Sequence, residues 1–317
     1  MNVLEVENLK TYFFTARGAV KSVDNVSFTL KKGEVLGLAG ESGCGKSTLG
    51  YSIIKLIPPP GKIVEGSIKI EGEEIANLPE DVIRRKIRWK KVSMIFQGAM
   101  NALNPVYTIG FQLMEPFKYH TNIDSETAQK KIAEYLQFVG LSPEIVSRYP
   151  HELSGGMKQR VMIAMALLLE PTILIADEPT TALDVIVQAQ IINLFKKLKR
   201  ELGISIIFIT HDLSILAEIS DRVAIMYAGK IVEIGNNIDV YENPTHPYTQ
   251  KLLAAVPRLH KRIEKLEFIP GAPPNLLSPP PGCRFHPRCP YATKECAERE
   301  PELVKVGEDH YVACLKV

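Results

Sequence analysis

Residues 40–48 read Gly-Glu-Ser-Gly-Cys-Gly-Lys-Ser-Thr, between the apolar run 35–38 (VLGL) and a helical pattern over 47–56. The stretch fits G-x-x-x-x-G-K-[ST] with a strand before it and a helix after it, the context in which that spacing holds phosphate. Gly40, Gly43 and Gly45 permit backbone conformations that turn successive N–H groups toward one anion, with Ser42, Cys44 and Thr48 completing the cradle. The following helix N-terminus favours negative charge, Lys46 can reach the outer phosphates of a nucleotide, and the Ser47 hydroxyl can ligate Mg²⁺. Cys44 occupies a variable position of the motif and reads as a small spacer, neither ligand nor nucleophile.

Working outward, short apolar runs (35–38, 92–96, 173–176, 204–210) alternate with helical patterns (47–56, 157–169, 185–201). That alternation predicts an α/β domain with a largely parallel sheet. The strand-like VLEVENL and SVDNVSFTL of the first 35 residues, with further alternation over 63–75, predict an antiparallel sheet flanking it. Residues 106–154 are mostly helical in pattern and fall between two sheet strands, so a helical subdomain inserted into the core is expected.

Two further motifs carry chemistry. In ILIADEP (173–179) an apolar strand ends in two carboxylates. Asp177 is placed to hold Mg²⁺ through its water shell and Glu178 to polarise a water attacking a γ-phosphate. Taken alone such a strand end is usually just solvated; with a phosphate loop about 130 residues upstream the catalytic reading prevails. In LSGGMKQR (153–160), Ser154, Gly155 and Gly156 stand at a helix start, where hydroxyl and backbone donors make a second anion site. By itself Ser-Gly-Gly is an ordinary cap.

These motifs, with Gln97 between the first two, ALD (182–184) after them and His211 following SIIFIT, resemble in kind and order the nucleotide-binding subunit of an ATP-binding cassette (ABC) transporter. The resemblance spans residues 1 to about 240. It implies a P-loop, RecA-like core with an antiparallel β subdomain and an inserted helical subdomain. It also implies ATP held between the P-loop of one subunit and the signature motif LSGGMKQR of a second ATPase subunit, the same or a related chain. By the same resemblance Gln97 touches Mg²⁺ and the attacking water and senses the membrane partner, Asp184 communicates across the dimer, and His211 contacts the γ-phosphate. The adenine-stacking aromatic falls on Phe13, with Tyr12 or Phe14 as alternatives; an aromatic there is otherwise core packing.

Beyond the core, NPTHPYTQKLL (243–253) and PGCRFHPRCPYA (281–292) resemble the peptide and nickel importers, closest to the dipeptide and oligopeptide uptake ATPases. LKTYFFTARGAVKSVDNVSF near the start and ALNPVYTIGFQLMEP after Gln97 strengthen that likeness. Its implied partners are two integral membrane permease subunits and, indirectly, an extracytoplasmic peptide-binding protein, which would place the chain on the cytoplasmic face of the membrane. A nickel-importer ATPase is the alternative within the subfamily. A soluble cassette ATPase of translation or DNA repair is the rival outside it, although such proteins usually carry two cassettes or long coiled-coil insertions.

Residues 241–317 form the expected second domain. Nine of the chain's 22 prolines fall from Pro270 onward, so this tail is expected to be irregular rather than helical. It holds four of the five cysteines, Cys283, Cys289, Cys296 and Cys314. In a cytosolic chain such a cluster reads as a metal site. Spacings of x5, x6 and x17 lack the paired C-x2-C knuckles of common zinc modules, and Pro290 follows Cys289 as it often follows a cluster ligand. Four thiolates suit [4Fe-4S] or zinc, His286 and His310 could replace a cysteine around zinc, and unligated thiols are the third option. The subfamily resemblance favours [4Fe-4S], in a structural role, because a proline-rich segment of little apolar content needs a staple.

Composition bounds the rest. With 38 basic against 36 acidic side chains and a net charge of +2, the chain lacks the cationic excess of a nucleic-acid binder, and no nucleic acid is expected among its partners. The opening MNVLEVENLK has acidic residues where a signal peptide has a basic start and an apolar run, so a cytosolic chain is expected. Its longest apolar run, 161–169, is closed by Glu170 and Pro171 and is too short to span a bilayer.

Overall fold

A computed structural model of the chain describes residues 1–255 and 269–317. Among these, twelve strands follow in chain order: β1 (Asn2–Thr15), β2 (Gly18–Lys31), β3 (Val35–Ala39), β4 (Gly61–Ile70), β5 (Glu73–Glu74), β6 (Val92–Ile95), β7 (Ile173–Asp177), β8 (Ser205–Ile209), β9 (Arg222–Tyr227), β10 (Lys230–Asn236), β11 (Val304–Gly307) and β12 (His310–Val312). Two compact units divide the chain, one of residues 77–207 with Met1, the other of residues 2–76 and 208–317.

In the second unit β1 pairs antiparallel with β2 and β4, and β5 closes that sheet beyond β4. This is the flanking antiparallel sheet expected from the alternation. One face is apolar, with the cross-strand neighbours Leu4, Val6, Phe28, Leu30, Ile68 and Ile70 all buried. A second sheet runs β11-β12-β10-β9-β3, with β3 parallel to β9 and the rest antiparallel. All five residues of β3 and all six of β9 are buried, as parallel strands covered on both faces must be. From β3 the chain runs through the glycine-rich loop into helix Lys46–Ile53.

In the first unit β6 and β7 pair in parallel, Val92 opposite Ile173 and Ile95 opposite Ala176, and β7 is buried along its length. Helices Ile109–His120 and Ser125–Phe138 form the expected helical insertion, capped by Thr108 and Asp124 through their side-chain oxygens. Helices Gly155–Leu167 and Val185–Lys197 start on Ser154 and Asp184 in the same way.

The tail departs from the expected irregular structure at its end. There β11 and β12 form a hairpin, and β12 adds to the sheet edge with Glu233 opposite Val312 and Ile234 opposite Tyr311. The prolines that suggested irregularity stop at Pro301, which leaves residues 304–312 free to donate to a ladder. A short helix, Lys294–Glu298, and a 3₁₀ turn, His286–Arg288, lie between the hairpin and the proline-rich run.

Candidate nucleotide site and cysteine cluster

In the second unit the glycine-rich loop is forced by close backbone approach. Gly45 has φ +107°, and a Cβ there would meet the Ser22 carbonyl oxygen at 2.0 Å. Gly43 has φ +78° with nothing within 4 Å of its Cβ position, so this part of the backbone faces open space, as a phosphate cradle requires. The Lys46 ammonium turns back onto the loop, donating to the carbonyls of Gly40 at 2.7 Å and Glu41 at 3.1 Å. Cys44 is buried, and burial pushes its thiol pKa up, which fits an inert spacer. Ser42 and Gly43 are exposed and Ser47 and Thr48 half-buried.

Thr210 donates its backbone N–H to the Leu38 carbonyl at 3.3 Å, so the exposed His211 follows a residue tied to the strand that enters the loop. Thr11 on β1 shares a hydrogen bond of 2.8 Å with Ser52 of helix Lys46–Ile53, and Phe13, two residues on, takes the same strand face. Phe13 lies where a Cβ on Gly61 would meet its ring at 2.8 Å. Of the alternatives, Tyr12 donates to Asp24 at 2.6 Å and Phe14 is exposed.

In the first unit β6 and β7 bring Gln97 and Glu178 together, the Gln97 amide donating to Glu178 Oε2 at 2.9 Å. The Thr181 hydroxyl donates to the same oxygen at 3.0 Å, a contact the sequence motifs did not single out. Glu178 has φ +47°, a left-handed conformation unusual for a glutamate and of the strained kind concentrated at functional positions. Asp177, one residue earlier, is fully buried at the end of β7, an environment in which a carboxylate is stable only with hydrogen-bond or cationic company.

Ser154 and Gly155 are exposed at the start of helix Gly155–Leu167, where the Ser154 hydroxyl accepts from Met157 N–H at 3.3 Å. Asp184 accepts from Val187 N–H at 2.9 Å. Gly156 lies so close to Val187 that a Cβ would sit 2.7 Å from its Cγ1, so the signature and Asp184 segments pack together. Val185 and Ile186 beside them are exposed.

The four tail cysteines converge. Cys283, Cys289, Cys296 and Cys314 line one small cavity with Phe285 and His286. Burial, helped by the neighbouring Cys296, Cys289 and Cys314, pushes the Cys283 thiol up to about 11. Four soft sulfur donors on one cavity are the donor type a thiolate-bound metal or cluster would use, but the metal centre expected from the sequence is not shown by their arrangement. All four are unpaired thiols here, and no group of three or more His, Cys, Asp or Glu side chains among the described residues is arranged to hold a metal ion. His310, a candidate zinc ligand from sequence, is committed elsewhere: its Nε2 lies 2.7 Å from Glu233 Oε1. His286 Nδ1 lies 2.9 Å from the Cys283 carbonyl oxygen.

Known proteins match this chain along nearly its whole length. Residues 23–181 match the ABC transporter family, and residues 232–296 match the C-terminal region of oligopeptide/dipeptide transporters. The chain is 48% identical over 315 residues to the dipeptide transport ATP-binding protein DppD of Bacillus subtilis, covering 98% of this chain and 94% of that one. It is 49% identical over 317 residues to the oligopeptide transport ATP-binding protein OppD of Escherichia coli, covering 99% and 93%. Among solved structures it resembles the dimeric cassette MJ0796 in a post-hydrolysis state with ADP and Pi, at 30% identity and a TM-score of 0.66 over 74% of this chain and 98% of that one. The glycine-rich loop, the strand-end carboxylates and these full-length matches together make the chain a member of the ABC transporter family, an ATP-hydrolysing subunit with a C-terminal region of the oligopeptide/dipeptide transporter type.

Proposed function

We propose that this chain powers the import of dipeptides or oligopeptides through a membrane permease. The observation that carries the reading is the match of residues 232–296 to the C-terminal region of peptide transporters, joined to a cassette that keeps every catalytic residue type. Labelled-dipeptide uptake by proteoliposomes holding the chain, its permease and internal ATP tests it. Nickel uptake in place of peptide uptake would move the chain to the neighbouring importer class.

In this reading the loop of residues 40–48 wraps the phosphates, Phe13 stacks on adenine, and Lys46 and His211 stabilise charge on the γ-phosphate. Ser47, Gln97 and Asp177 would hold Mg²⁺, which when bound neutralises phosphate charge. Glu178, oriented by Gln97 and Thr181, polarises the water that attacks the γ-phosphorus; the bond to the β–γ bridging oxygen breaks, leaving ADP and inorganic phosphate. Ser154, Gly155 and Gly156 of a second ATPase subunit complete the site across the dimer, with Asp184 beside them. ATP then acts as glue, and its hydrolysis releases a closed state that can drive a membrane partner.

No described helix is long and apolar enough to cross a membrane, so the chain's place at the cytoplasmic face rests on two permease subunits, with a peptide-binding protein upstream. Val106, Tyr107 and Phe111 suit permease docking: all are exposed, and the Tyr107 and Phe111 rings stack at 4.5 Å on the helical insertion that follows Gln97.

Residues 1–240 form the ATPase domain in this reading, and residues 241–317 a C-terminal domain folded around a [4Fe-4S] cluster on Cys283, Cys289, Cys296 and Cys314. Convergence of the four thiols on one cavity supports it. Anaerobic purification with iron, sulfide and zinc analysis decides: about four irons and four sulfides support the cluster, one zinc replaces it with a zinc fold.

A further inference from the structure

The phosphate loop contains an acidic side chain, Glu41, in a segment that must receive a highly charged anion. Left alone, that carboxylate would repel the ligand it surrounds. It is not left alone. Arg288 donates from Nη1 to Glu41 Oε2 at 2.7 Å and from Nη2 to Glu41 Oε1 at 2.9 Å, a two-pronged pair between residues 247 apart in sequence. The Arg288 side chain is 7% exposed and that of Glu41 22%. The guanidinium is further held by the Pro270 carbonyl at Nε, 2.8 Å, and by the Tyr227 hydroxyl at 3.3 Å.

The same end of the loop is gripped twice more. Glu41 N–H donates to the Tyr248 hydroxyl at 2.9 Å, and Gly229 N–H donates to the Cys44 carbonyl at 2.8 Å. Tyr227, Tyr248 and the tail's Phe285 form a buried aromatic cluster, with ring centroids 4.6, 5.2 and 5.4 Å apart. Arg288 belongs to the 3₁₀ turn His286–Arg288, which lies between Cys283 and Cys289. The cysteine tail therefore delivers a cation to the loop.

We propose that Arg288 is a positioning residue for ATP binding: it neutralises Glu41 and holds that carboxylate turned away from the phosphates, so that the tail sets the affinity of the nucleotide loop. A lysine would keep the charge but lose the fork, so it replaces arginine only in part.

The test is binding of a fluorescent ATP analogue with Mg²⁺ to the full chain, with thermal melting recorded in parallel. Arg288→Ala is expected to raise Kd about tenfold, the size of one interaction of ~1.4 kcal/mol, and Arg288→Lys two- to threefold. Adding Glu41→Gln to Arg288→Ala is expected to restore most of the affinity, because the uncompensated charge is gone, even though the melting temperature stays lowered. If Arg288→Ala does not fold, Arg288→Gln, which keeps most of the side chain's length, takes its place in the same pair of measurements. An unchanged Kd in the arginine variant overturns the proposal. So does a weakened Kd that Glu41→Gln fails to restore, since Arg288 would then act on the fold alone and not through Glu41.

Discussion

At the residue scale the proposed chemistry rests on a few side chains, most of them set in motifs along the chain. Glu178→Gln keeps shape and hydrogen bonding but removes the charge that polarises water, so turnover is expected to fall about 10²- to 10⁴-fold while ATP binding persists. Native mass measurement should then find the ATP-bound dimer accumulating. Lys46→Ala should instead weaken nucleotide binding, read directly as a raised Kd. Gly45→Ala places a methyl group against the Ser22 carbonyl and imposes φ +107° on an L-residue; loss of binding measured by the same titration is the expected outcome. Lys46, Asp177 and Glu178 could be proposed from local motifs, whereas Gln97 and His211 could be proposed only from the order of motifs that carries the family resemblance. Arg288 and Thr181 could not, since a bond across 247 residues, or from a threonine just past the motif, leaves no periodic signature.

At the scale of elements, the parallel strands and the helices that carry the motifs follow from hydrophobic period and capping residues. Runs 35–38 and 173–176 were readable as buried strands, and they became β3 and β7 with every residue buried. The tail was less legible. Its prolines signalled irregularity, and the hairpin β11–β12 is short enough that its pairing depends on the β10 edge rather than on its own pattern. One buried group holds that junction: Glu233, fully buried on β10, accepts from Thr245 N–H at 2.8 Å and His246 N–H at 2.9 Å, and its Oε1 lies 2.7 Å from His310 Nε2 on β12. Glu233→Ala strands three polar partners, two of them buried, and should cost about 3 kcal/mol or more by urea unfolding, whereas an exposed carboxylate such as Glu126 should cost under ~1 kcal/mol.

For the whole molecule, the sequence carries the family, and the proposed permease contact falls on a stretch, 102–116, that also carries the importer resemblance. Val106, Tyr107 and Phe111 are apolar side chains exposed where a buried core would have hidden them. Replacing Tyr107 and Phe111 together by serine should leave ATP binding to the isolated chain unchanged while reducing co-purification with the permease subunits several-fold. The proposed peptide cargo rests on kinship with dipeptide and oligopeptide transport ATP-binding proteins. Coupled uptake and hydrolysis in proteoliposomes, with the chain, its permease and internal ATP, test the account most directly. Dipeptide uptake and ATP hydrolysis are both expected to require Glu178 and to collapse in Glu178→Gln; equal turnover in the two proteins, or Glu178-dependent hydrolysis with no peptide carried, would contradict the proposed function.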